Sequence, residues 1–172
     1  LELGDFDLGV FVLGVLSYLC SRLPPLLVDP ILIEQVLINL LKNGGESIQQ
    51  AMRAPGQRFI ELRAGPSRHD DIDCVEFTIT DSGSGVPDDM LELIYEAFYS
   101  TKAEGMGIGL KLCRSIVESH HGRMKVENTY NGDEVSGCCF SFWTPVATAL
   151  LPPASDRAND LHNGGGLQER VR

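Results

Sequence analysis

The sequence predicts one α/β domain. Two patterns carry that reading: a 3.6-residue apolar stripe between Asp29 and Met52, and period-two alternation at Phe59–Ala64 and Val75–Thr80. Length is the third observation, since 172 residues, 43% apolar and 22% charged, suit a single ordinary core. The formal charge of -10 and pI near 4.7 exclude non-specific attraction to nucleic acid or an anionic membrane surface, which select Lys and Arg clusters.

Residues 5–19 read as a short amphipathic helix weakened by Gly9 and Gly14, ended by Pro24-Pro25. Asp29 then reads as an N-cap and Pro30 as the first helical residue. Ile33, Val36, Leu37, Leu40, Leu41 and Ile48 form the apolar stripe of a helix predicted to run to about Met52. Phe59–Ala64 and Val75–Thr80 read as a hairpin, with His69-Asp70-Asp71 in a polar loop between them. A short helix is expected from Asp88 to about Glu96, then a loop Phe98–Met106, then a helix from about Gly107 to His121 stopped by Gly122. Two closing strands, Met124–Asn128 and Cys138–Thr144, are joined at Asn131-Gly132-Asp133. Residues 1–145 form the predicted domain, and 146–172, with Pro152-Pro153 and Gly164-Gly165-Gly166, read as a disordered tail.

No apolar run approaches the roughly 20 residues that a bilayer requires, so no direct membrane contact is expected. The first residues carry neither a basic segment nor a small-residue cleavage site, and read as a cut within a longer protein. Cys20, Cys74, Cys113, Cys138 and Cys139 are odd in number and form no C-x-x-C, which disfavours a disulfide framework or a zinc cage and points to a reducing cytoplasm.

Three constellations carry chemistry. On the Asp29–Met52 helix, with Gln35 taken as origin, Asn39, Asn43 and Glu46 fall at about 40°, 80° and 20° on the helical wheel. Three carboxamides and a carboxylate thus share one arc, either as a solvated face or as neutral oxygen ligands for a hard cation near phosphate. Next, Asp81-Ser82-Gly83-Ser84-Gly85 follows a strand. It is either a tight turn or a site where a carboxylate accepts from an exocyclic amine and glycines let a flat ring approach. An EF-hand loop is excluded, because Gly83 and Gly85 stand where oxygen ligands belong. Last, Gly105-Met106-Gly107-Ile108-Gly109-Leu110 feeds a helix with Thr101-Lys102 upstream, so free N–H groups and an ammonium can cradle phosphate. It is neither the dinucleotide fingerprint nor a Walker loop.

In order, Gln35–Asn43, Asp81–Gly85, Phe98-Tyr99-Ser100-Thr101-Lys102 and Gly105–Leu110 resemble the N box, first glycine box, F box and second glycine box of the GHKL ATP-binding superfamily. More narrowly, the chain resembles the catalytic domain of bacterial sensor histidine kinases. Within these, Phe98–Gly122 is similar to the short-lid, PAS-linked oxygen- and nitrogen-responsive subgroup. The resemblance covers about residues 5–145 and implies a two-layer α/β sandwich, the Bergerat fold, with a mixed sheet covered on one face by helices.

It further implies ATP held between the first-box helix and a lid. Asn43 would coordinate Mg²⁺, Asn39 would lie near the phosphates and Lys42 would contact them. Asp81 would accept from the adenine amino group, with Gly83 and Gly85 giving the base room. Phe98 would anchor the lid, Thr101 and Lys102 would approach the phosphates, and Gly105, Met106, Gly107, Ile108, Gly109 and Leu110 would form the hinged cradle. Asn39, Asn43 and Lys102 are the expected catalytic set. The hydrolysing branches carry Glu where this chain has Asn39, and an amide cannot act as general base, so slow ATP hydrolysis is predicted.

His69, His120, His121 and His162 all lack the context of the family's phosphoacceptor. The implied partners are therefore a histidine-containing dimerisation domain and a response regulator reached through a homodimeric parent, which could be membrane-anchored; the isolated domain is expected to be monomeric and unable to autophosphorylate. Two departures stand out. An edge strand is expected to be truncated within residues 1–28, where only Cys20-Ser21-Arg22-Leu23 fills the usual insertion. Gly44-Gly45 replaces the more usual alanines, and two helix glycines, costing on the order of 1–2 kcal/mol, are expected to soften the metal site. A non-catalytic nucleotide-binding scaffold and another GHKL ATPase are the alternatives.

Overall fold

The computed structural model describes residues 23–91, 93–95 and 109–150. Helix α1 spans Pro30–Gln50. The Asp29 carboxylate accepts from the N–H groups of Ile31 (2.9 Å) and Leu32 (3.3 Å), satisfying two otherwise orphaned donors, and Pro30 needs no partner there. Ile33, Val36, Leu37, Leu40, Leu41 and Ile48 are buried as the stripe predicts. The helix runs unbroken through Gly44-Gly45, and Gly44 is itself buried.

Strands β1 (Ile60–His69) and β2 (Ile72–Asp81) pair antiparallel. The predicted loop around His69 is corrected to a two-residue turn, Asp70-Asp71, in which both residues have positive φ (48° and 65°). That is the backbone of a hairpin turn matched to strand twist, and Asp tolerates it better than most residues. Polar Arg63, Ser67 and Arg68 continue β1 because it is an edge strand, with half or more of its residues facing solvent. In place of the predicted helix after Asp88 there are two single 3₁₀ turns, Asp88–Met90 and Leu93–Tyr95. Helix α2 spans Gly109–Ser119. Gly122 N–H reaches the Val117 carbonyl (3.0 Å) and His121 N–H reaches that of Glu118 (3.0 Å), with His121 at φ 60°. The left-handed residue closing the helix is thus His121, while Gly122 is required because a Cβ would overlap the Trp143 carbonyl.

Strands β3 (Arg123–Asn131) and β4 (Glu134–Pro145) complete a sheet of order β1-β2-β4-β3. The sheet expected to be mixed is antiparallel throughout its described strands. Two hairpins account for two of the pairs, and the passage from β2 to β4 includes α2 and β3, which returns β4 in the opposite sense. Both helices cover one face. Val75, Phe77 and Ile79 of β2 and Cys138, Phe140 and Phe142 of β4 join Val36, Leu37, Leu40, Cys113, Ile116 and Val117 in one core. The Phe77 and Phe142 rings stack there at 4.9 Å. On the other face Trp143 is covered by the His69 ring at 5.2 Å.

Val146, expected to begin the tail, belongs to the fold. It is buried, bridges to Leu26, and donates its N–H to the Asp73 carbonyl (3.0 Å). A 3₁₀ turn, Ala147–Ala149, follows, with Ala147 N–H bonded to the Pro25 carbonyl (2.8 Å). Cys74, Cys113, Cys138 and Cys139 are free thiols, the first three buried. Among the described residues no helix is long and apolar enough to cross a membrane.

Candidate functional site

The site grows from the polar face of α1. Asn39 and Asn43 are half-buried there, while Lys42 and Gln35 are exposed. Asn39 meets the start of α2: a Cβ at Gly109 would lie 2.8 Å from Asn39 Nδ2, so any larger residue there would push the amide aside. The Asn39 Nδ2 donates to the Cys113 sulfur at 3.1 Å, one turn further along α2.

At the other end of the same face stands Asp81, the last residue of β2, only 2% exposed. Burial pushes its carboxyl above the usual value; the N–H groups of Gly83 (2.8 Å to Oδ1) and Cys138 pull the other way by bonding the ionised form. A carboxylate has the chemistry to accept from an N–H. Around it the backbone is packed tightly. A Cβ on Gly83 would overlap the Ser47 side chain, and one on Gly137 would overlap the Asp81 carbonyl. Gly85 has φ +73°, where any side chain is strained.

The structure therefore brings Asn39, Asn43, Asp81, Gly83, Gly85, Gly109 and Leu110 to one region bounded by α1, the loop after β2 and the first turn of α2. The start of a helix has the chemistry to receive anionic oxygens. Phe98, Thr101, Lys102, Gly105, Met106, Gly107 and Ile108 lie outside the described residues. No cluster of three His, Cys, Asp or Glu able to hold a metal occurs among the described residues, so a cation here would rest on amide oxygen.

Several supporting residues escape a reading of motifs. Ser47 Oγ accepts from Ser84 N–H (3.2 Å) and holds the loop; it continues the spacing of Asn39 and Asn43 by one more turn, which is a usable signal. Asn128 clamps the same loop, accepting from Val86 N–H (2.8 Å) and donating to the Val86 carbonyl (2.7 Å). An Asn inside a strand is unfavourable enough to mark it. Arg53 Nη2 ties the Gly83 carbonyl (3.1 Å) to that of Val135 (3.2 Å), and Cys113 supports Asn39; neither has a local signal.

The chain is 41% identical over 137 residues to the C4-dicarboxylate transport sensor protein DctS of Rhodobacter capsulatus, covering 79% of this chain and 19% of that protein. It is 37% identical over 121 residues to the sensor protein FixL of Bradyrhizobium diazoefficiens, covering 70% of this chain and 22% of that one. The chain thus spans about a fifth of the length of these curated relatives. Among solved structures, the nucleotide-free catalytic domain of histidine kinase ThkA superposes with a TM-score of 0.56 at 25% identity, over 84% of this chain and 96% of that one. The mycobacterial sensor histidine kinase MprB shares the fold, with a TM-score of 0.58 at 21% identity over 80% and 91%. Residues 28–148 match the family described as histidine kinase-, DNA gyrase B- and HSP90-like ATPase, and the chain belongs to that family.

Proposed function

We propose that this domain binds Mg-ATP along the polar face of α1 and donates the γ-phosphoryl group to a histidine of a dimerisation domain outside this chain. In that reaction the bond between the γ-phosphorus and the bridging oxygen breaks, ADP leaves, and a phosphorus–nitrogen bond forms on the imidazole, whose proton departs. The phosphoryl group then passes to a response regulator. A homodimeric parent supplies the acceptor. The cytoplasm is the proposed location, and the free thiols support it.

The observation that carries the reading is the Asp81 carboxylate, buried at a strand end beside glycines whose side-chain space is already filled, against the stretch of α1 that carries Asn43 and, one turn earlier, Asn39. Asp81 reads the adenine amino group, and Gly83 and Gly85, packed closely on Ser47 and Asn128, shape the loop against which the ring lies. Asn39 and Lys42 face the phosphates, and Gly109 and Leu110 open the helix whose N–H groups receive them. Phe98, Thr101, Lys102, Gly105, Met106, Gly107 and Ile108 form the proposed lid. The donor set fits a hard cation, since the side chain of Asn43 carries a neutral amide oxygen and the described residues hold no group of three His, Cys, Asp or Glu able to take a metal; Mg²⁺ held there would neutralise phosphate charge. With an amide at position 39, no carboxylate activates water, so the γ-phosphoryl group waits for its acceptor and transfer depends on positioning.

Calorimetric titration of the chain with a non-hydrolysable ATP analogue, with and without Mg²⁺, tests this. Binding strengthened by Mg²⁺ and removed by Asp81→Ala is expected. Equal affinity for ADP and GDP would contradict the role given to Asp81, and appreciable ATP hydrolysis would favour an ATPase.

A further inference from the structure

Cys113 sits on α2, 2% exposed, with its sulfur facing α1. It touches α1 twice: its S–H points to the Val36 carbonyl at 3.9 Å, and its sulfur receives the Asn39 Nδ2–H at 3.1 Å. These two contacts are linked. A thiol has one proton, and with that proton directed at a carbonyl, the sulfur can only accept from its second partner. The end of the Asn39 amide that faces Cys113 must then be NH₂. Gly109, one turn before Cys113, closes over the flat of the same amide, so the side chain is held between the two. Burial raises the Cys113 thiol, with the Asn39 bond acting against it, so the neutral form that carries the S–H persists.

We propose that Cys113 is a positioning residue for phosphoryl transfer: by holding the NH₂ of Asn39 it turns Oδ1 away from the buried sulfur and leaves it beside Gly109 at the first turn of α2, where the proposed site takes the nucleotide phosphates. The assignment rests on the nucleotide site proposed above and deepens it. An unrestrained amide can flip its N and O, presenting a donor or an acceptor to the same place. The sulfur removes that choice before ligand arrives, and so removes an ordering cost from binding.

Three variants of the chain test it: Cys113→Ala, which removes the acceptor; Cys113→Ser, whose hydroxyl can make the same two bonds; and Cys113→Val, which fills the space without an acceptor. Affinity for Mg-bound AMP-PNP is expected to fall about threefold to tenfold in the Ala and Val variants, the worth of one neutral hydrogen bond, and to stay within about twofold in Ser. Metal-free ADP affinity, carried mainly by the base, is expected to change less. The Asn39 side-chain NH₂ signals in a ¹⁵N spectrum give a nucleotide-independent readout. They should shift and lose solvent protection in Ala and Val and keep it in Ser, each variant first checked for a cooperative melt. Wild-type affinity in Ala and Val, a Ser variant as weak as Ala, or unchanged Asn39 amide signals would overturn the proposal. Failure of the unaltered chain to bind any adenine nucleotide overturns the site reading instead, and the amide signals then decide the Cys113–Asn39 link alone.

Discussion

Gly44 of α1 lies directly against Asp81 of β2: a Cβ at Gly44 would stand 3.1 Å from the Asp81 Cβ and 3.5 Å from its Oδ2. The glycine that weakens the helix on local grounds therefore lets the helix seat against the carboxylate. Gly44→Ala sets two effects against each other. Alanine gains about 1 kcal/mol in helix propensity, and Asp81 must give by a few tenths of an ångström at a place where its carboxylate is also held by Gly83 N–H. The expected outcome is a melting temperature little changed and weaker adenine-nucleotide binding. Raised stability with unaltered affinity would show that the strand end yields freely.

Asp81 itself opposes stability. Its carboxyl is pushed above the ordinary value of 3.8, chiefly by burial, so the folded chain holds that proton more tightly than the unfolded chain. Its favourable contribution is complete below pH 3.8 and is lost as pH rises through the folded value, leaving a cost at neutral pH. Asp81→Asn keeps an oxygen for the Gly83 N–H and removes the charge. It should melt higher than the unaltered chain at pH 7, by a margin that shrinks on acidification, while losing selectivity for adenine. Thermal melts between pH 3 and pH 8 measure the margin; one constant across that range would mean that burial of the charge is not the cause.

Legibility followed the range of the interactions. The Asp29-Pro30 start of α1 was readable because the residues that explain it are neighbours in the chain, whereas the loop after Asp81 is held by Ser47, Arg53 and Asn128 from far along it. β1 was read too short, ending at Ala64 ahead of Pro66; at the sheet edge, a proline that lacks an N–H can be accommodated. What Gly44 packs against was not readable, because propensity is local and Asp81 meets it only after the sheet has formed. Cys113 was one apolar residue among several until α2 was laid across Asn39. Val146 looked like tail because its partners, Leu26 and Asp73, come from far along the chain.

Tyr95 carries an unsettled polar group. Its hydroxyl is buried and has no hydrogen-bond partner among the described residues, although the Arg114 guanidinium lies 4.9 Å from the ring centre. Burial pushes the phenol up from 10.0 to about 12, against the attraction of Arg114. Tyr95→Phe keeps the ring over which Arg114 sits and removes the orphan, so a gain on the order of 1 kcal/mol is expected. The pH dependence has a definite sign: the folded chain holds this proton more tightly, so its stabilising effect is complete below pH 10 and is lost as pH rises through about 12. The Phe variant should therefore lose less stability than the unaltered chain above pH 10. Cys138, pushed to about 12 mainly by burial, acts in the same direction in both chains and cancels from the comparison. Identical alkaline limbs would show that Tyr95 ionises as freely folded as unfolded.

His120 joins the end of α2 to the start of α1, and its two ring nitrogens leave little choice of protonation. Nδ1 lies 2.8 Å from the Ile116 carbonyl, which can only accept, so the proton is on Nδ1. Nε2 is then free to accept the Asp29 N–H at 3.0 Å, the backbone of the residue that caps α1. The same imidazole thus terminates one helix and orients the cap of the other, and both helices carry residues of the proposed nucleotide site. His120→Ala removes both bonds and is expected to cost about 1–2 kcal/mol. The discriminating measurement is hydrogen exchange at Asp29: its amide should exchange faster in His120→Ala, with Ile31 and Leu32 following as the cap loosens. A destabilised variant whose Asp29 amide exchanges at the original rate would place the loss at the α2 end alone, and would leave the start of α1 held only by its own carboxylate.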